Sequence, residues 1–343
     1  ERLQLPEVFV EALTSKALVL LTQGRLIEAR IQLEAAAARA HAEQLYAGEF
    51  RAANNLGVVL EASDRYAEAL DALAGVLALA RRRGDRRWES ILSTGRIVQY
   101  VLLGRWDEAL ATAAEEEPQV ADELSRGQLL PVALIHCERG ELEPARALLA
   151  SADTLRDSDN PQARAGYAGV EARLLRSEGH DSEALAAAER ALATLGELAI
   201  TDTQVKQGLV EATEAAFALR DLDKAEELLA IPEALDPGQL TPFLQANAGR
   251  LRARLDAARG NHDQVEERFR SAASLCREFG LVFHLAVTQL EHAEWLTGQG
   301  RADEAQPLLA EARQTFDRLQ ATPWLERAAQ LTPSRREHEA AIS

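Results

Sequence analysis

The apolar positions of this chain repeat with a period near 40 residues. A small marker residue stands at Ala29, Ala69, Ala109, Ala145, Ala184, Ala225, Val265 and Ala305, at spacings of 40, 40, 36, 39, 41, 40 and 40. Each marker closes a short polar turn, seen most fully in Gly300-Arg301-Ala302-Asp303-Glu304-Ala305. Twelve residues before the markers stand Ala17, Gly57, Ile97, Ala133, Ala172, Thr213, Ala253 and Ala293, six of which are Gly or Ala. Four residues after them come Leu33, Leu73, Ala113, Leu149, Ala188, Leu229, Phe269 and Leu309, one helical turn along the same face. A fixed period of this length is the mark of a repeat array.

The unit reads as two helices joined by a tight turn. Glycine ends the first helix because it accepts the left-handed conformation. Acidic residues then open the second helix, where the helix dipole favours them. The small marker lets the two helices lie close together. The pairs predicted are roughly 7–46, 47–84, 85–117, 119–152, 162–197, 200–231, 243–279 and 281–319. The fourth is the shortest, with Pro131 expected to kink or break its first helix and Pro144 tolerated early in its second. The basic run Arg81-Arg82-Arg83 suits a helix C-terminus. A polar connection at 152–161 is a candidate hinge, and the prolines at 232–242 mark a second break. A short capping helix at 321–328 and a flexible tail at 331–343 complete one array over 1–330. In such a rod each unit is expected to touch only its neighbours.

The pattern resembles the tetratricopeptide repeat family, through Asn55-Leu56-Gly57-Val58-Val59-Leu60 followed by Tyr66 and Ala69. The proline that usually closes each unit is missing, and the period exceeds the usual 34, which implies longer helices. The implied fold is all-α, a right-handed superhelical solenoid of about eight such repeats. The stretch from Gly298 through Phe316-Asp317-Arg318-Leu319 to Thr322-Pro323-Trp324-Leu325-Glu326-Arg327-Ala328 is similar to the C-terminal region of large actinobacterial-type signalling proteins. That resemblance implies a sensor array within a larger ATP-dependent regulator of the cyclase–ATPase type. The alternatives are the inducer-sensing repeats of a LuxR/MalT-like transcriptional regulator, or a stand-alone receptor for a peptide or small molecule. A chain without methionine that begins at Glu1 fits the expectation of a longer parent.

Composition narrows the chemistry. Hydrophobic residues are 47% and aromatics 5%, so alanine carries the packing. A net charge of -17 repels phosphate backbones and argues against nucleic-acid binding. No apolar run reaches the length of a membrane span. Cys137 and Cys276 lie in distant units, so a disulfide is not expected and the setting reads as cytoplasmic. No phosphate-binding loop, dinucleotide fingerprint, His-Glu-x-x-His or Cys-x-x-Cys occurs. His136-Cys137-Glu138 brings reactive types together only in sequence, and helical neighbours point apart. No catalytic, metal or cofactor site is therefore expected, and the partner expected is a protein, a peptide or a small inducer.

The concave face is then the candidate site. Its exposed positions are read as Arg51, Asn54, Arg173, Arg176, Gln207, Asn247, Arg250 and Arg254. The arginines of pairs five and seven stand out in so acidic a chain and suit carboxylates of a partner through forked contacts. The competing reading pairs them within the chain, to Glu171, Glu183 or Glu214.

Overall fold

A computed structural model of the chain describes residues 5–115, 126–236 and 238–331. Among these residues there are seventeen α-helices, two 3-10 turns and no strand. The helices are α1 (Pro6–Thr22), α2 (Leu26–Ala42), α3 (Tyr46–Ala62), α4 (Tyr66–Arg83), α5 (Arg86–Leu102) and α6 (Trp106–Glu115). Then follow α7 (Leu129–Arg139), α8 (Leu142–Ser151), α9 (Pro161–Ser177), α10 (Asp181–Leu192), α11 (Thr203–Ala218) and α12 (Leu222–Glu233). The last five are α13 (Pro242–Ala258), α14 (Val265–Glu278), α15 (Val282–Gly298), α16 (Ala302–Leu319) and α17 (Thr322–Ala329). No helix among the described residues is long and apolar enough to cross a membrane. The lead-in at 1–4, the expected start of the fourth pair at 119 and the tail beyond 331 lie outside the described residues.

The eight pairs and the cap stand where the spacing put them. All eight markers are buried, and so are all eight small-contact positions twelve residues earlier. The contact is more specific than small against small. A Cβ added at Gly57 would come within 3.2 Å of Leu73, the leucine one turn past the marker. Pro131 falls in the first turn of α7, directly after a break at Gln128, where proline costs nothing. Pro232 lies inside the last turn of α12, so the second break begins two residues later than the proline. The 152–161 connection holds a 3-10 turn at Asp153–Leu155, and Asn160 caps α9 by accepting from the Gln162 backbone N–H.

Between paired helices the chain turns through one left-handed residue. Six of the eight turns use glycine there; the other two use Asp64 and Arg220, at φ 60° and 59°. An L-residue in this region costs on the order of 1 kcal/mol. Asp64 puts that cost to use. Its carboxylate is fully buried and accepts from Lys206 Nζ on α11, from Tyr66 Oη at 2.8 Å and from the Phe243 backbone N–H at 2.6 Å. Phe243 is in the first turn of α13, so the helix dipole adds to the attraction.

This contact corrects the expectation that each unit meets only its neighbours. The array winds round until the pair-two turn lies against the start of pair seven, 179 residues away. The same step recurs down a seam. A Cβ at Gly104, in the third turn, would come within 2.9 Å of Val282 at the start of α15. One at Gly140, in the fourth turn, would come within 3.0 Å of Pro323 at the start of α17. Beside them Arg139 Nε donates to the Leu319 carbonyl at 3.1 Å. Units two, three and four therefore each rest on the element five places on, the last of these being the cap. The result is a closed coil and not an open rod. Aromatic side chains seal the seam, with Phe283 packed on Trp106 at 5.3 Å and on Trp324 at 5.4 Å between ring centroids.

Removing the lysine of this buried pair strands Asp64. Lys206→Met should lower the unfolding free energy in urea by about 3 kcal/mol, and the double variant with Asp64→Asn should recover part of it. Asp64→Gly relieves the backbone strain yet should still destabilise, because it releases α13.

Candidate functional site

The odd-numbered helices from α5 to α17, with Trp106 at the start of α6, line a central cavity of about 70 Å³, enough for roughly five waters. Its apolar and aromatic lining is Val101, Trp106, Ile135, Phe243, Phe283 and Trp324. Its polar lining includes Glu138, Arg176, Gln207, Glu211, Glu214 and Arg250, so α7 and α13 each carry both kinds, Ile135 with Glu138 and Phe243 with Arg250.

The charged lining is a ladder whose sign alternates from one inner helix to the next. Glu138 stands on α7, Arg173 and Arg176 on α9, Glu211 and Glu214 on α11. Arg250 and Arg254 stand on α13, Glu291 and Glu294 on α15, and Arg327 on α17. Arg173 grips Glu138 through two hydrogen bonds of 2.7 Å, and the Trp324 indole N–H donates to the same carboxylate at 2.8 Å. Arg176 reaches Glu211 at 2.9 Å. Arg250 bridges Glu214 and Glu291, both at 2.8 Å. Arg254 does the same at 2.6 and 3.0 Å, and Arg327 closes on Glu294 at 2.6 Å. Within each helix the charges are three or four residues apart, so they share a face.

The eight positions proposed from the sequence separate into four groups. Arg173, Arg176, Arg250 and Arg254 come together in the ladder, already paired. Glu214 is a partner as anticipated; Glu138, Glu211 and Glu291 were not anticipated. Asn247 is buried behind Arg250, donates to the Phe243 carbonyl at 3.0 Å and accepts from Arg250 at 3.4 Å. Gln207 lines the cavity. Arg51 and Asn54 lie elsewhere, on α3, with Arg51 in a solvent-exposed pair with Glu11 on α1. The sequence reasoning missed Asp64, Lys206 and Trp324. Lys206 is one of only three lysines, and Asp64 is one of two residues that stand where the other six turns have glycine. Both signals were present.

Burial and pairing set the protonation states. Burial opposes ionisation of Glu138 and Glu214, but the arginines outweigh it; both carboxyls are held below the usual range, Glu214 well below. Burial pushes His284 and His292 down to about 4, with Arg250 adding to the effect at His284. Burial pushes both thiols, Cys137 and Cys276, up to about 12. These cysteines are free and buried, as inert apolar filler.

No family model and no curated protein matches the chain. Solved structures do. A Rap protein complexed with competence and sporulation factor is 14% identical, with a TM-score of 0.57, covering 94% of this chain and 97% of its own. The Rap conjugation gene regulator of plasmid pLS20, in complex with the Phr* peptide, is 11% identical, with a TM-score of 0.51, covering 97% and 96%. A tetratricopeptide repeat protein from Parabacteroides merdae is 16% identical, with a TM-score of 0.45, covering 81% and 98%. The two Rap likenesses establish the fold as a tetratricopeptide-like helical repeat solenoid.

The ladder makes stability depend on acid. Carboxyls held low contribute above their unfolded pKa near 4.3, and that contribution is lost as pH falls through their folded values. The two histidines, neutral in the fold, add a loss between about 6.5 and 4, because only the unfolded chain takes up their protons there. The buried Glu61 carboxyl, pushed up to about 7 by burial, acts with the opposite sign in the same window, so the histidine contribution is read by difference. Between pH 6.5 and 4 the variant His292→Phe should lose less melting temperature than the native chain in a calorimetric pH series.

Proposed function

We propose that the chain is a non-catalytic regulatory array that recognises a short peptide segment in the lumen of the coil. The observation that carries the reading is the mixed lining of the lumen, in which an apolar, aromatic part lies beside a charge-balanced ladder. Every charge of the ladder already has a partner, and its five carboxylates match its five guanidinium groups. A ligand there gains little from its own charge and more from burying apolar side chains against Trp106, Phe283 and Trp324. Gln207 and the rims of Arg176 and Glu211 are placed for its backbone groups. The Rap conjugation gene regulator, solved with the Phr* peptide, supports a peptide as the ligand. The cavity is smaller than a peptide, so binding requires the seam to ease apart, and that movement is a means of passing the signal on. Acidic groups gripped by the arginines are disfavoured, since a ligand carboxylate would first have to displace an internal one. The larger ATP-dependent regulator implied by the sequence resemblance would use such an array as its sensing arm.

Gly169 provides the test. It lines the cavity, and a Cβ added there meets nothing within 4 Å. Gly169→Phe should fill the lumen while keeping or raising stability, because glycine within a helix costs about 1 kcal/mol. Heptapeptides selected on the native protein should lose at least about tenfold in affinity for this variant by calorimetry, a loss of about 1.4 kcal/mol. Equal affinity for both proteins would remove the lumen from the proposal.

A further inference from the structure

A second concavity opens away from the lumen, on the far side of Arg254. It holds about 510 Å³, within the range of small-molecule sites. Phe217, Phe269 and Trp295 form its apolar body, with Leu222, Ala257 and Ala258. Trp295 is fixed by its indole N–H, which donates to His262 Nδ1 at 3.2 Å. The Arg254 guanidinium lies over the Phe217 ring at 4.3 Å and is held there by Glu214 and Glu291.

The polar rim is not balanced. Glu291 is taken by Arg250 and Arg254, and Glu294 by Arg327. That leaves Arg220, exposed, on the edge of the cleft, its guanidinium with no ion pair or hydrogen bond among the described residues. Arg220 is also one of the two residues placed in a left-handed turn where six other units have glycine. The other, Asp64, repays its backbone cost with the buried latch. Arg220 has no internal contact that does so.

We propose that this cleft binds a small monocarboxylate with an aromatic or branched apolar body, the carboxylate on Arg220 and the body against Phe217, Phe269 and Trp295. Charge complementarity selects an anion, because Arg220 is the one guanidinium at the rim that no neighbouring carboxylate neutralises. The enclosed aromatic wall selects the apolar body. The site is independent of the lumen, whose occupant meets none of these three aromatic rings.

The test uses N-acetyl-phenylalanine and its amide, titrated against the whole chain by calorimetry and by tryptophan fluorescence. The acid should bind about fivefold or more tightly than the amide, the size of one exposed ion pair. Arg220→Gly should abolish that preference and at the same time raise the melting temperature, since glycine suits the turn. A purely structural arginine would give no loss of acid preference. Gly169→Phe should leave the acid's affinity unchanged, which separates failure here from failure of the lumen reading. Equal binding of acid and amide, no binding of either, or binding only by a longer peptide ending in phenylalanine would overturn the proposal.

Discussion

The buried carboxylate of Asp64 is the contact on which the rest of the structure depends. A helical array without this and the contacts that continue its seam would be an open spiral with its inner face in water. Asp64 ties the end of α3 to α11 through Lys206 and to the start of α13 through the Phe243 N–H. Both charges are shielded from solvent, so neither tolerates loss of the other. Closure at that point brings the third turn onto α15 and the fourth onto α17, and it converts a concave surface into an enclosed lumen.

Enclosure in turn explains the alternating ladder. Ionised side chains inside a coil must be neutralised close by. A repeat array offers one economical solution, in which neighbouring inner helices carry opposite signs. The pairs Glu138–Arg173 and Arg176–Glu211 are each 35 residues apart, about one repeat. The ladder therefore also fixes the register of each inner helix against the next. It also lets apolar side chains such as Ile135 and Phe243 stand on the same inner helices as the charges, and the lumen acquires its mixed lining from that arrangement.

Nearly all of the local architecture was legible in the sequence. The markers, the small contacts twelve residues before them and the polar turns report short-range packing, which a regular period exposes. The arginines on α9 and α13 were conspicuous for a sound reason, yet their partners were only partly foreseen. Glu138 and Glu291 looked like two of many carboxylates, and only the sign alternation at the repeat period distinguishes them. The seam was not legible. Its contacts join positions about 180 residues apart, and no local pattern encodes how far a coil turns per unit. What the sequence did contain was a pair of exceptions, Asp64 and Arg220, in a series otherwise held by glycine.

The 179-residue reach between Asp64 and Phe243 also bears on how the molecule is made. Helix pairs assemble from near neighbours and can form as the chain leaves the ribosome. Asp64 and Tyr66 then wait, without their final partners, until some 180 residues more have been synthesised. Long-range closure is slow because the intervening loop entropy is lost before the contact rewards it. Maturation of this coil is thus set by its last units, and a nascent chain halted before α13 would have every early helix but no interior.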